Sequence, residues 1–172
     1  MLKNFVHGRV AVFIDAANIL YSQQTLGWRM DYTKLRDIFF YTGHVGKDDK
    51  QQAFLKKLSE LGYQVRSKEV KRIRVGRNSY QWKGNLDVEL TIDVVKYLEK
   101  FDTLILMSGD SDFAPLLDVA KQAGKRVIVM STKGHVAYEL IQRAKYINLK
   151  KLRVELEYKK SPQPKSGRGL TL

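Results

Sequence analysis

Cysteine is absent from this 172-residue chain, which excludes disulfides and thiolate metal sites. Histidine is scarce: His7, His44 and His135 are scattered without metal-ligand spacing, and no function is assigned to them. No stretch approaches the run of about 20 apolar residues that a membrane span requires. Residues 1–8 carry Lys3 but no following signal-type apolar block or cleavage site, so a cytoplasmic location is expected. No Gly-x-Gly-x-x-Gly follows the first apolar run, and no Walker-type Gly-Lys-Ser/Thr loop occurs. Dinucleotide dehydrogenases and P-loop enzymes are thereby disfavoured. An aspartyl-phosphate phosphatase would carry a second acid two residues after Asp15, where Ala17 stands.

Negative charge is also in short supply. Lys and Arg total 31 against 18 Asp and Glu, a net charge of +13. A surplus of that size attracts polyanions, nucleic acid foremost, although a solvated basic surface is the plainer reading. An anionic membrane surface is a weaker rival, because no basic amphipathic helix with a broad apolar face is evident.

What is present is a regular alternation of strand and helix. Hydrophobic residues make up 44% of the chain, enough for one continuous core. Short apolar, β-branched runs at Arg9–Ile14, Arg36–Thr42, Tyr63–Glu69, Asp102–Met107 and Arg126–Met130 read as strands. Helices are expected over Ala16–Gln23, from Asp48 or Asp49 to Gly62, after Asp87, over Phe113–Gln122 and over Val136–Arg143. Phe54, Leu55, Leu58 and Leu61 form one core stripe, and Leu90, Val94, Val95 and Leu98 another. Tyr32–Leu35 is a short helix and Tyr146–Leu149 a last short strand. This order predicts an α/β fold with a mostly parallel central sheet. We take residues 1–150 as the domain and 151–172 as a basic extension, disordered from about 161.

In such sheets ligands sit outside the carboxyl ends of the strands, where strand order reverses. Asp15 ends the first strand, and Asp110 follows the strand Asp102–Met107 by two residues. Those strands should be central neighbours, so the two carboxylates share one crevice. Asp112 lies on the same loop, and Asp87 starts the helix leading into that strand. Clustered carboxylates repel and resist desolvation, and a hard cation such as Mg²⁺ or Mn²⁺ relieves both costs. Helix capping competes with this reading for Asp15 and Asp87, and is the first expectation for Asp112, before the helix near Phe113. Asp93, inside a helix, is an outer metal ligand, a hydrogen-bond partner for the loops or a solvated edge residue.

Three motifs carry a resemblance. Phe13-Ile14-Asp15-Ala16-Ala17-Asn18 resembles the opening motif of NYN domains, in particular the LabA-like (DUF88) group of PIN-like nucleases. Lys83-Gly84-Asn85-Leu86-Asp87 with Asp93 is similar to the second motif, and Ser108-Gly109-Asp110-Ser111-Asp112-Phe113 to the third. The resemblance covers residues from about 9 to 149 and implies a three-layer Rossmannoid, PIN-like fold with a Mg²⁺- or Mn²⁺-dependent ribonuclease site. Its acidic residues would be Asp15, Asp87, Asp110 and Asp112, with Asp93 further out. Asn18 and Ser108 would orient ligands or water, and Lys83 would contact a phosphate. Lys145 stands where members often have an acid before the last strand.

From Arg66 in the third strand to Lys83 in the second motif runs a basic segment of Arg66, Lys68, Lys71, Arg72, Arg74, Arg77 and Lys83, opposed only by Glu69. Partial alternation over Val65–Val75 and a turn at Gly76-Arg77-Asn78 predict a protruding β-hairpin. Tyr80 and Trp82 on its second arm offer stacking faces for unpaired bases, or pack on the domain. The combined reading is a metal-dependent RNA endonuclease using an activated water. A non-catalytic RNA-binding module and a DNA-directed nuclease are the rivals, and homo-oligomerisation is left open.

Overall fold

The computed structural model describes residues 4–159 apart from 36, 47 and 78, and leaves out the side chains of 33 and 81–83. Eight strands are β1 (Val10–Asp15), β2 (Ile38–His44), β3 (Gln64–Glu69), β4 (Lys71–Arg74), β5 (Tyr80–Lys83), β6 (Thr103–Met107), β7 (Arg126–Ser131) and β8 (Lys145–Asn148). The helices are α1 (Ala16–Leu26), α2 (Asp49–Glu60), α3 (Asp87–Lys96), α4 (Ala114–Gln122), α5 (Tyr138–Arg143) and α6 (Arg153–Leu156).

Six strands form one sheet in the order β3-β2-β1-β6-β7-β8, every pairing parallel. The chain builds outward from β1 through β2 and β3, then returns to add β6 on the other side of β1. That reversal is the topological switch point, and it sets the carboxyl ends of β1 and β6 side by side. The architecture is a PIN-like Rossmannoid: a central parallel sheet flanked by helices.

Two apolar layers hold it together, and the pleat of β1 sorts its residues between them. Val12 and Ile14 join the layer of Ile19, Ile38, Phe40, Leu58 and Met107. Ala11 and Phe13 join the opposite layer with Phe39, Leu90, Phe101, Leu104 and Leu117. Phe13 stacks on Phe39 at 4.5 Å between centroids. Full burial of side chains of this size is worth about 1.5–3 kcal/mol each, which pins β1 and β6 against each other.

Several expectations shift in the structure. Phe54 and Leu61 are 42% exposed, and Val95 is 47% exposed, so each helical stripe buries fewer residues than its spacing predicts. Leu55, Leu58, Leu90 and Val94 do the packing. Asp48, not Asp49, caps α2 by accepting from the amides of Lys50 and Gln51. Asp112 caps nothing: Asp110 closes the 3-10 turn Ser111–Phe113 that leads into α4. The second strand begins at Ile38, and Arg36 lies outside the described residues. Beyond residue 150, Leu152 and Leu156 are buried against the first layer, and Met30 bridges Glu157. The tail that was expected to be disordered lies outside the described residues.

The basic segment does fold back on itself. β4 and β5 pair antiparallel, with Lys71 opposite Lys83 and Arg74 opposite Tyr80. Arg74 closes the turn by donating to the carbonyls of Gly76 and Arg77. The hairpin root is tight: a Cβ on Gly84 would stand 2.9 Å from the Val70 Cα, so only glycine lets the second arm return here. The Val70 amide in turn donates to the His44 carbonyl at 2.8 Å, tying the root to the end of β2.

Candidate active site

Asp15 ends β1, and its backbone position also opens α1. Its Oδ1 accepts from the Asn18 amide at 3.3 Å and its Oδ2 from the Ser108 hydroxyl at 2.8 Å. One carboxylate thus caps α1 and also bonds the residue that follows β6. Burial pushes the Asp15 carboxyl above its ordinary value; the bonds from Ser108 and Asn18 oppose that, and the charge of Asp110 adds to it.

Ser108 is fully buried at the end of β6. Besides donating to Asp15, it accepts from the Asp110 amide at 3.2 Å, so one hydroxyl couples the two central strand ends. Asp110 accepts from the Asp112 amide at 3.0 Å. Gly109 between them has no room for a side chain, because a Cβ would meet the His135 carbonyl oxygen at 1.6 Å. Its own carbonyl accepts from Ala137 at 2.9 Å, which braces the loop against the chain after β7.

Asp87 comes from the first turn of α3. Oxygens of Asp87, Asp110 and Asp112 lie within 4.8 Å of one another. Burial first, then the charges of Asp15, Asp110 and Asp112, raise the Asp87 carboxyl to about 6, with the Asn85 amide working against them. Asn85 donates to Asp87 at 2.5 Å. Among the described residues, no lysine or arginine forms an ion pair with Asp15, Asp87, Asp110 or Asp112. Asn18 adds a buried Oδ1 that takes no hydrogen bond among the described residues. An all-oxygen donor set with uncompensated negative charge fits a hard divalent cation.

Asp93 stands apart from this group. It is buried, and its Oδ2 accepts from the Tyr41 hydroxyl at 2.8 Å and from Arg66 Nε at 3.1 Å. Of the three roles open to it, the structure shows hydrogen bonding, with two strands as partners. The pair raises Tyr41 strongly, through burial first and Asp93 second. Arg66 is correspondingly occupied with Asp93, although it was expected to face nucleic acid.

The other basic residues divide. Lys68 pairs with Glu89 at 2.8 Å. The Arg72 guanidinium lies 3.9 Å from the Tyr80 ring centroid, so one face of that ring is already covered. Arg74 is spent on the turn, while Lys71 and Arg77 are exposed. The side chains of Trp82 and Lys83 lie outside the described residues. Asn85 and Tyr41 were not singled out from the sequence. Asn85 stood inside the Lys83–Asp87 motif, whereas nothing local marks Tyr41.

A family model for the NYN domain matches residues 9–150. The low amplitude and bright protein LabA of Synechococcus elongatus is 33% identical over 175 residues, covering 93% of this chain and 94% of that protein. An uncharacterized protein of Methanocaldococcus jannaschii, MJ0482, is 27% identical over 143 residues, covering 81% of this chain and 54% of that one. Among solved structures, a protein of unknown function from Vibrio parahaemolyticus, VPA0982, aligns with a TM-score of 0.68 and 25% identity. That alignment covers 83% of this chain and 94% of the other.

Proposed function

This chain belongs to the NYN domain family, within the PIN-like nuclease superfamily, and from that premise we propose that it is a metal-dependent endoribonuclease. One observation carries the reading. Three carboxylates from two distant segments, Asp87 on α3 and Asp110 and Asp112 after β6, converge without a pairing cation among the described residues. A fold tolerates that repulsion at a cost, and a carboxylate held above its ordinary value in a crevice, as Asp87 is, marks a functional site.

Asp87, Asp110 and Asp112 would hold Mg²⁺ or Mn²⁺, with Asp15 beside them. Bound there, such a cation would polarise a phosphate oxygen and lower the pKa of a water for attack on the phosphodiester. The protein's own residues do the rest. Ser108 holds the Asp15 carboxylate in one orientation by donating to it, and keeps the Asp110 loop in register by accepting from its amide. Asn85 donates to Asp87 and so restrains its carboxylate beside Asp110 and Asp112. Asn18 offers its unused Oδ1 as an acceptor for a water proton. The surplus of lysine and arginine draws in the phosphate chain that the aspartates alone would repel.

The test compares the wild type with Asp15→Asn and Asp110→Asn on labelled RNA and DNA, in Mn²⁺, Mg²⁺ or EDTA. RNA cleavage that requires the metal and both aspartates is the expected result. Cleavage surviving EDTA and both substitutions sinks the metal mechanism. Tight binding with no cutting points instead to a binding module, and preferential cutting of DNA to a different substrate.

A further inference from the structure

The hairpin has two faces, and they do different things. Side chains alternate along a strand, so Lys71 and Ile73 share one face of β4 while Arg72 and Arg74 share the other. The Arg72 face is turned in on itself, with its guanidinium over Tyr80 and Arg74 closing the turn. The Lys71 face borders a cleft of about 400 Å³ lined by Lys68, Glu69, Lys71, Ile73, Gly84 and Asn85. That size lies within the range of small-ligand sites, about 300–1,000 Å³.

Gly84 and Asn85 form a shared wall. They also line a narrow recess with Asp15 and Asp87, and Asn85 is bonded to Asp87. Whatever occupies the cleft therefore lies one wall away from the recess that Asp15 and Asp87 line. Its chemistry is mixed in a particular way. Ile73 is 41% exposed and gives an apolar contact for a flat ring or a ribose. Lys71 offers a cation for a phosphate, while Lys68 is partly satisfied by Glu89. Glu69 is acceptor-only, so it repels phosphates from its side and suits a base edge that donates.

We propose that this cleft is a subsite for one unpaired nucleotide flanking the cleaved phosphate, with the base against Ile73 and its phosphate on Lys71. The proposal rests on the nuclease reading above and adds to it a direction: the strand runs along the Lys71 face of the hairpin. A paired base is held in its stack and would have to be extruded at a cost of a few kcal/mol before entering. The subsite therefore selects single-stranded segments.

An abasic scan tests it. A short unstructured RNA with one cleavage position is made as a series, each member lacking one base, and kcat/KM is measured with Mn²⁺. The wild type should lose about tenfold for a single position beside the cut, the size of one base contact. In Ile73→Ala that penalty should shrink below about twofold, because the contact is already missing. Lys71→Glu should weaken every substrate, and Arg72→Ala should leave the position of the penalty unchanged. A flat profile in the wild type, or an undiminished penalty in Ile73→Ala, overturns the subsite while leaving the nuclease reading intact. If the wild type binds without cutting, that reading falls, and affinities for the same series in EDTA decide the subsite by the same two outcomes. No binding to any member overturns both. Ile73 and Lys71 are exposed, so their variants should fold, with melting curves as the control.

Discussion

The two ends of the central sheet hold aspartates in opposite circumstances. At the amino end Asp102, just before β6, meets Arg9, which donates to it through its backbone amide at 2.7 Å and its guanidinium at 3.2 Å. The Arg9 guanidinium and amide hold this exposed carboxyl down to about 2. At the carboxyl end Asp87 faces three other carboxylates and rises to about 6. Both ends are built on the same strands, so neither the sheet nor the residue type explains the difference. The partner does. Where an aspartate only stabilises, the fold supplies a cation; at the carboxyl end it supplies more negative charge.

The sharpest way to break this comparison is to remove charge at each end. Asp110→Asn should lower cleavage by about a hundredfold or more, since electrostatic stabilisation by a held metal is worth several kcal/mol. Asp102→Asn should leave cleavage within about twofold. Equal losses from the two substitutions, measured as kcat/KM on one RNA, would erase the distinction.

Metal should act at one end only. With Mg²⁺ or Mn²⁺ at about 100 times its dissociation constant, linkage gives about 2.7 kcal/mol. For a chain of this size that is a rise in melting temperature of roughly 5–10 °C, reversed by EDTA. Asp87→Asn should abolish the rise, and Asp102→Asn should keep it. A metal-induced rise that persists in Asp87→Asn would remove that carboxylate from the ligand set.

Protons should act at both ends with opposite signs. The folded-state value of Asp87 is raised, so its favourable contribution is full below about 4 and is lost as pH rises through about 6. Without metal, Asp87→Asn should therefore melt higher than the wild type above pH 6, with the gap closing towards pH 4. The value of Asp102 is lowered, so its contribution is present above about 4 and lost as pH falls through about 2. Asp102→Asn should melt lower at neutral pH and converge with the wild type in acid. Melting curves in chelator from pH 2 to 8 check both signs.

The smallest expected effect concerns Asp93, a third kind of aspartate, buried and held by Tyr41 and Arg66. Tyr41→Phe removes one hydrogen bond to a charged group, worth about 1.5–3 kcal/mol, and should lower the melting temperature by several degrees. Metal affinity should be unaffected. A change in metal affinity comparable to that of Asp87→Asn would return Asp93 to the metal site.

Much of this was legible before any coordinates. Alternating strands and helices, together with Asp15 and Asp110 at strand ends, led to the central pairing of β1 with β6. The carboxyl ends followed from topology, because right-handed crossovers between parallel strands leave few ways to arrange them. Asp93 was not legible in the same way. Its spacing on α3 left three roles open, and its partners sit on β2 and β3, 52 and 27 residues away. The choice of Asp110 over Asp112 as the cap was also hidden, since either can accept from a nearby amide and only the turn geometry selects one.

The sequence by itself determined which segments form the strands of the sheet, that the strand-end acids share an edge, and that the chain is too basic to repel a polyanion. These follow from local periodicity, composition and a small set of allowed topologies. Tertiary structure alone decided which carboxylates meet and which are neutralised. It also decided which hairpin face borders the cleft beside Gly84 and Asn85. Alternation says that Lys71 and Ile73 share a face, but only packing of Val70 between the end of β2 and Gly84 turns that face to the cleft. Charge–charge energies depend on distance and burial, and neither is written along the chain.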